Sequence, residues 1–175
     1  MVRYVHHQLI TVVEAGAALA VTAPVVFGVR GLPQDDSNFV AILLYLAGCS
    51  VFFSLLAVST RSRWLGGEKR DFESAVPLAD PEAILPTPRE SLRRSFDGAF
   101  VVLIGLMSLV FGLVWGLAAI GFAVVFLVPE RIVKGVYAFF WERRHGVLLW
   151  RGQVVAQPLG KDQFLYSSPR IVTPG

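Results

Sequence analysis

Four polar side chains near the N-terminus could carry a proton or an ion into an apolar segment. Arg3, His7, Thr11 and Glu14 recur at helical spacing within an arc of about 80°. A carboxylate inside a membrane is costly unless it is protonated or paired. The stripe therefore predicts either a proton- or ion-coupling site or a polar face that hydrogen-bonds to a neighbouring helix. We favour the second, because one carboxylate without another intramembrane charge makes a poor pathway.

The other residues with suitable chemistry do not predict a catalytic or metal site. His6 and His145 flank apolar segments, and Cys49, the single cysteine, lies within another. Their spacing does not match metal or haem ligation, and the sequence lacks a Gly-rich phosphate loop, a G-x-S-x-G elbow and an H-E-x-x-H pair. We expect a protein that is not an enzyme, with no metal, no cofactor and no small-molecule substrate.

Composition predicts an all-α integral membrane protein. The chain is 54% hydrophobic and 17% charged, with a mean hydropathy of +0.59, whereas soluble domains are about half apolar and about a quarter charged. Of the 16 Lys and Arg residues, 14 fall in the segments 61–94 and 131–170. The long uncharged stretches that remain exceed what a soluble core of this size can bury. A bacterial plasma membrane and an organellar (mitochondrial) inner membrane both fit.

The net charge of +3 does not indicate a nucleic-acid partner. Residues 59–97 hold seven basic and seven acidic side chains, whereas a nucleic-acid-binding face clusters basic residues with few acids among them. A solvated loop beside a membrane is the simpler interpretation.

Residues 1–60 predict a transmembrane helical hairpin. Its spans, about 9–29 and 39–58, each match the roughly 20 residues that cross a bilayer in a helix. Residues 61–97 form a polar loop whose prolines exclude one continuous helix. Within it, Thr87-Pro88-Arg89-Glu90 has the form of a capping box with proline at the first helical position. A helix should begin near residue 88 and continue into the next apolar run.

That run, residues 98–129, has 32 residues without a charge. A helix of this length would be about 48 Å long, and fitting all of it into the membrane needs a tilt beyond the usual range of about 0–40°. Either one long helix crosses and emerges against a partner, or the chain folds back within Gly112–Gly116 to give a fourth helix. Local chemistry favours the single helix, because the apex offers few side-chain partners for freed backbone groups.

Charge bias favours the fold-back. The positive-inside rule places the basic segments 61–94 and 131–170 on the same side of the membrane, which requires an even number of crossings between them. We expect the single helix, since the rule is statistical, and retain the hairpin as the alternative.

Small residues predict close helix packing. Ser108, Gly112 and Gly116 recur at a spacing of four, and Gly16 and Ala20 repeat that spacing in the first span. Such stripes allow another helix, from this chain or another, to approach closely.

Residues 130–145 predict an amphipathic helix in the membrane interface, with Arg131, Lys134 and Glu142 opposite its apolar arc. An extension of the third helix against a partner is the alternative. Residues 146–175 form an extramembrane tail, irregular or with a β-hairpin turning at Arg151-Gly152. The apolar arc that would contact lipid or a partner comprises Ile132, Val133, Val136, Tyr137, Phe139 and Phe140.

These features predict a non-catalytic accessory or scaffold subunit of a larger membrane complex, with the lipid bilayer and other membrane protein subunits as partners. One alternative is an oligomeric small transporter or channel component that uses Glu14 for proton or ion coupling. A second is a wedge protein that shapes the membrane with its hairpin and amphipathic helix.

Overall fold

The computed structural model describes residues 1–31, 37–60, 67–115, 117–161 and 163–170. The chain is mostly helical with one small sheet. The elements in chain order are β1 Val2–Arg3, α1 Tyr4–Arg30, α2 Ser37–Ser59, α3 Glu68–Glu73, β2 Val76–Pro77, α4 Pro81–Ile84, α5 Pro88–Ser95, α6 Gly98–Trp115, α7 Leu117–His145, β3 Val147–Arg151 and β4 Tyr166–Pro169.

Helices α1 and α6 run side by side in the same direction. Just before α6, the backbone N–H of Asp97 donates a hydrogen bond to the carboxylate of Glu14, which lies within α1. Near their ends, Nε of Arg30 donates to the carbonyl of Leu113 over 2.7 Å. The two pairs are separated by the same number of residues in each helix, so α1 and α6 are parallel neighbours.

Helix α7 runs in the opposite direction along α1. Arg3 is paired with Glu142, whereas Gln8, further along α1, contacts Gly135, which lies earlier in α7. Since α6 is parallel to α1 and α7 is antiparallel to it, α6 and α7 form a helical hairpin. Helix α2 packs against α7 and completes a four-helix bundle.

The expected single helix over residues 98–129 is therefore not formed. Helix α6 instead ends at Trp115 and α7 begins at Leu117, and the two helices run in opposite directions, as the fold-back alternative predicts. The sequence alone indicates that backbone groups at such a turn lack side-chain partners, but the Arg30 guanidinium donates to the Leu113 carbonyl near the end of α6. Gly116 and residues 32–36, which connect α1 to α2, lie outside the described residues.

Residues 130–145 do not form a separate helix. They are the second half of α7, which continues through Pro129 without ending. Conversely, the expected continuous helix from residue 88 into the apolar run is interrupted after Ser95. The carboxylate of Asp97 accepts hydrogen bonds from the backbone of Ala99 and Phe100 and so caps the start of α6.

The capping box at the start of α5 is present. The Thr87 hydroxyl accepts a hydrogen bond from the Glu90 backbone N–H over 3.3 Å, and Pro88 occupies the first helical position.

A four-stranded sheet of order β1-β3-β4-β2 joins distant parts of the chain. β3 is antiparallel to both β1 and β4, and β4 is parallel to β2. The predicted hairpin turning at Arg151-Gly152 is not formed, because β3 pairs with β4, whose first residue is Tyr166. Gly152 instead adopts a φ of +141°, and a Cβ there would lie 3.1 Å from the Met1 backbone.

Successive residues of β3 point to opposite faces of the sheet, as expected for a strand, and therefore contact different apolar clusters. Leu149 is fully buried in the first cluster, against α1, α3 and α7, and Trp150 is buried in the second. The first cluster comprises Tyr4, Val5, Phe72, Ala138, Leu149 and Leu165, and the second Leu78, Trp150, Val154 and Tyr166. Residues 1–8, 67–97, 130–161 and 163–170 thus form a folded unit at one end of the helices, which we call the base. The bundle comprises α2, α6 and the remainder of α1 and α7.

Candidate functional site

Glu14 faces a neighbouring helix, where it serves as a hydrogen-bond acceptor. Its side chain is only 2% exposed, and its carboxylate accepts from the backbone N–H of Asp97, immediately before α6. A helix start presents unpaired N–H groups and a partial positive charge, so a buried carboxylate is stabilised there. This contact has the form of the hydrogen-bonded face that we favoured for the stripe.

The structure does not join the predicted polar stripe into a chain of hydrogen bonds. Thr11 donates to the backbone carbonyl of His7, one turn earlier in its own helix, over 2.8 Å. Arg3 turns away to Glu142. His7 is half-buried and interacts electrostatically with Arg131 and Arg151. The partners of the stripe therefore lie in the base and at the start of α6.

A chain of polar side chains crosses the base from α1 to α7. The Tyr4 hydroxyl donates to Glu68 over 2.8 Å in a buried hydrogen bond. The other carboxylate oxygen of Glu68 lies 2.7 Å from Nζ of Lys134, and Glu130 lies 2.8 Å from the same ammonium. One lysine is thus shared by two carboxylates, and α1, α3 and α7 are held together.

The surroundings of Lys134 favour its charged form. Burial alone lowers the pKa of this amine, but the hydrogen bonds and charges of Glu130 and Glu68 outweigh it, and its pKa is raised above the ordinary value of 10.5. An ammonium with only 15% of its side chain exposed and two carboxylate partners remains protonated at neutral pH.

A second ion pair joins the N-terminus to α7 and β3. Glu142 is 1% exposed, and its carboxylate lies 2.5 Å from Nη2 of Arg3. The same carboxylate accepts the backbone N–H of Leu149 over 2.9 Å. The backbone N–H of Arg3 donates to the Ser91 hydroxyl, so α5 is attached to the same point.

A cavity of about 250 Å³ opens beside the first of these networks. Arg131, Lys134 and Arg151 line it together with Glu68 and Asp71. Nη1 of Arg131 donates to Gln8, but its Nε is buried and has no hydrogen-bond partner among the described residues. The guanidinium of Arg131 is therefore only partly engaged.

Two of the three histidines have a polar partner within hydrogen-bond distance. Nδ1 of His6 lies 3.2 Å from the Ser91 hydroxyl. Nδ1 of His145 lies 2.9 Å from the Trp141 carbonyl, and the two rings are stacked with centroids 3.9 Å apart. Among the described residues, no group of three or more His, Cys, Asp and Glu side chains could hold a metal ion.

One predicted stripe of small residues faces the interior of the bundle, and the other faces outward. Ser108 and Gly112 are buried within the bundle. Gly16 and Ala20 are exposed, and a Cβ added at Gly16 would meet no atom within 4 Å. A packing partner for the α1 stripe is thus not found in the described part of this chain; Gly116 lies outside it.

The apolar arc of residues 132–140 faces mainly outward. Ile132, Val136, Phe139 and Phe140 are 42–62% exposed, whereas Val133 and Tyr137 are half-buried. The Tyr137 ring stacks on Phe72 of α3 at 5.7 Å. The polar face of this helix contacts the base instead of solvent.

Sequence reasoning placed Arg131, Lys134 and Glu142 on one polar face but did not identify their partners. Only the spacing of Glu130 and Lys134, four residues apart on one helix, could have predicted an ion pair. Glu68 and Arg151 gave no local signal, because their neighbours come from distant segments.

Comparisons with protein-family models, with curated proteins and with solved structures found no match to this chain.

Proposed function

We propose that this chain is an integral membrane protein that serves as a non-catalytic accessory or scaffold subunit of a larger membrane complex. The supporting observation is the apolar surface that the bundle leaves uncovered. Segments Tyr4–Arg30 and Pro88–Leu113 are long and apolar enough to cross a membrane. Within the most apolar 18 residues of each segment, only 33% and 11%, respectively, are buried. The core helix of a soluble protein would be mostly buried. Lipid and partner helices are the surroundings that suit such a surface.

The charge distribution supports this placement. Strand β2 comes from the basic segment 61–94 and β4 from the segment 131–170, and they pair in one sheet. Both segments are therefore on the same side of the bundle. The positive-inside rule is satisfied if the bundle crosses the membrane four times with the base on the cytoplasmic or matrix side.

The uncovered faces of the helices differ in a way that favours a protein partner at α1. On α2, large side chains such as Phe52 and Phe53 are about 60% exposed, as expected for contact with lipid tails. On α1, exposed Gly16 and Ala20 lie between exposed valines. A shallow surface of small residues allows the backbone of another helix to approach closely.

The geometry around Glu14 favours a subunit over a transporter. A coupling carboxylate has to exchange its proton along a pathway, whereas Glu14 is buried and hydrogen-bonded to the start of α6. Its contact explains the burial of this acid without a transported ion.

Extraction with a mild detergent tests the assignment. The full chain should migrate as a high-mass complex that contains other subunits, and Gly16→Leu should shift it to lower mass. The matched control is Gly48→Leu on α2, because both glycines are exposed and have no atom within 4 Å of an added Cβ. A wild-type chain recovered only as a monodisperse monomer would contradict the proposal.

Cysteine labelling tests the membrane placement separately. In a Cys49→Ala background, Glu82→Cys and Lys161→Cys should react with an impermeant reagent from one side of sealed vesicles. Asp35→Cys, between the first two helices in sequence, should react only from the other side. Reaction of all three from one side, or recovery of the chain in the soluble fraction, would contradict four crossings.

A further inference from the structure

The cavity at the base is lined by two arginines that form no ion pair within the described residues. Nη1 of Arg131 donates to Gln8 over 3.2 Å, while its Nε is buried and has no hydrogen-bond partner in the part of the chain that the structure describes. The exposed side chain of Arg151 has no carboxylate partner among the described residues. Both arginines line the same cavity.

The acidic residues on the cavity wall are already engaged. Glu68 binds Tyr4 through one carboxylate oxygen and Lys134 through the other. Asp71, the second acid on the wall, also has an interaction partner. Lys134 is held by two carboxylates, those of Glu68 and Glu130, so it has no free charge to attract a ligand. The groups left to attract a ligand are the two arginines, so the cavity favours an anion.

We propose that this cavity binds a phosphate group between Arg131 and Arg151, supplied by the headgroup of an anionic phospholipid or by free phosphate. Guanidinium groups present parallel donors that match the oxygens of phosphate. A cavity of about 250 Å³ is smaller than the pockets of about 300–1,000 Å³ that hold drug-sized ligands, but it accommodates a phosphate group and its waters.

The position of the cavity favours a headgroup. Tyr4 and Gln8 line it, and Leu9, the next residue of α1, is the first large apolar side chain of that helix to be exposed. With the bundle in a bilayer, the cavity lies where the apolar band begins, at the depth of the phosphates. Basic pockets at this depth on the cytoplasmic side bind anionic headgroups in membrane proteins.

The experiment uses the purified full chain in a neutral detergent. The thermal unfolding midpoint is followed during titration with inorganic phosphate, with phosphatidylglycerol, or with phosphatidylcholine as the zwitterionic control. We expect the anionic ligand to raise the midpoint, and Arg151→Gln to weaken its apparent affinity about tenfold. Arg131→Lys, which keeps the charge but loses the parallel donors, should also weaken it.

The controls separate this site from general attraction to basic residues. Arg143→Gln removes an exposed arginine of α7 that is not on the cavity wall, and it should leave the affinity unchanged. Arg151 is exposed and forms no ion pair with the described residues, so its variant should keep the wild-type midpoint without ligand. A response to phosphate alone identifies a soluble source, and a response only to phosphatidylglycerol identifies the headgroup.

No response to either ligand, or an equal loss in the Arg151→Gln and Arg143→Gln variants, would overturn the proposal. The phosphate titration depends neither on other subunits nor on the membrane, so a chain recovered as a monomer could still bind phosphate. The two proposals can therefore fail independently.

Discussion

The bundle and the base are stabilised by different kinds of interaction. In the bundle, buried hydroxyls mostly bond their own helix, as Thr22 does to the carbonyl of Ala18 and Ser54 to that of Ser50, while large apolar side chains point outward. In the base, buried ion pairs, two apolar clusters and a sheet connect distant segments. Helices α1 and α7 extend through both regions.

This difference indicates that the two regions depend on different features of the sequence. The bundle helices are apolar along their length, so composition alone makes them suited to an apolar medium. The base depends on particular pairs such as Arg3 with Glu142 and Tyr4 with Glu68. Substitutions in the base should therefore change stability strongly, whereas substitutions on the outer face of the bundle should have little effect in detergent.

The largest effect should come from Glu142→Ala. The change leaves the Arg3 guanidinium and the Leu149 backbone N–H without their buried acceptor. Removing one partner of a buried pair costs about 3–5 kcal/mol, so the free energy of unfolding should fall by about that amount. Equilibrium denaturation of the purified chain in detergent, followed by tryptophan fluorescence, measures it.

The Arg94–Glu90 pair provides the matched control. Its side chains are 52% and 46% exposed, four residues apart on α5, and exposed pairs contribute at most about 1 kcal/mol. A loss in Glu90→Ala as large as that in Glu142→Ala would show that burial of the pair is not what matters.

A smaller effect, of about 3 kcal/mol, is expected for Leu149→Ala. Leu149 is fully buried in the first cluster. Leu103→Ala removes the same atoms from a side chain that is 57% exposed on α6, and it should change the unfolding free energy by less than about 0.5 kcal/mol. Equal losses in the same denaturation measurement would mean that α6 is covered by protein in the purified chain.

Local patterns were sufficient to predict α1, α2 and the start of α5, but not the sheet. The first two apolar runs lie within α1 and α2, and the Thr87 capping box marks the start of α5, because length, hydropathy and caps act over a few residues. Strands β2 and β4 have two and four residues and pair across about half of the chain. Neither has a periodicity long enough to predict a strand, and their pairing depends on how the bundle folds back.

The fold-back itself illustrates a tertiary contact that outweighs local chemistry. Residues 98–129 alone favour one long helix, because their apex lacks polar side chains. The missing donor comes from Arg30 at the end of α1. Similarly, sequence identified Glu14 as a buried acid, but its partner, the Asp97 backbone, follows from the parallel packing of α1 and α6.

Substitution of Glu14 should have an intermediate effect that depends on the new side chain. Glu14→Gln keeps an oxygen that can accept from the Asp97 N–H, and it should lower the unfolding free energy by less than about 1 kcal/mol. Glu14→Leu leaves that N–H unpaired, at a cost of about 1–3 kcal/mol. In reconstituted vesicles, the Glu14→Gln variant should give the same proton flux as the wild type. A proton flux that is present in the wild type and absent in the variant would favour the transporter alternative.

The smallest expected effect is the pH dependence of the Lys134 contribution to stability, which appears only in alkaline solution. Because the pKa of Lys134 is raised in the folded chain, the folded state binds this proton more tightly than the unfolded state does. The resulting stability is fully present below the unfolded pKa of about 10.4 and is lost as the pH rises through the higher folded pKa. The stability difference between the wild type and Lys134→Met should therefore be constant from neutral pH to about pH 9.5 and shrink above about pH 10.5. Exposed Lys161→Met should show no such dependence, and a difference that already declines near neutral pH would contradict the shared ion pair with Glu68 and Glu130.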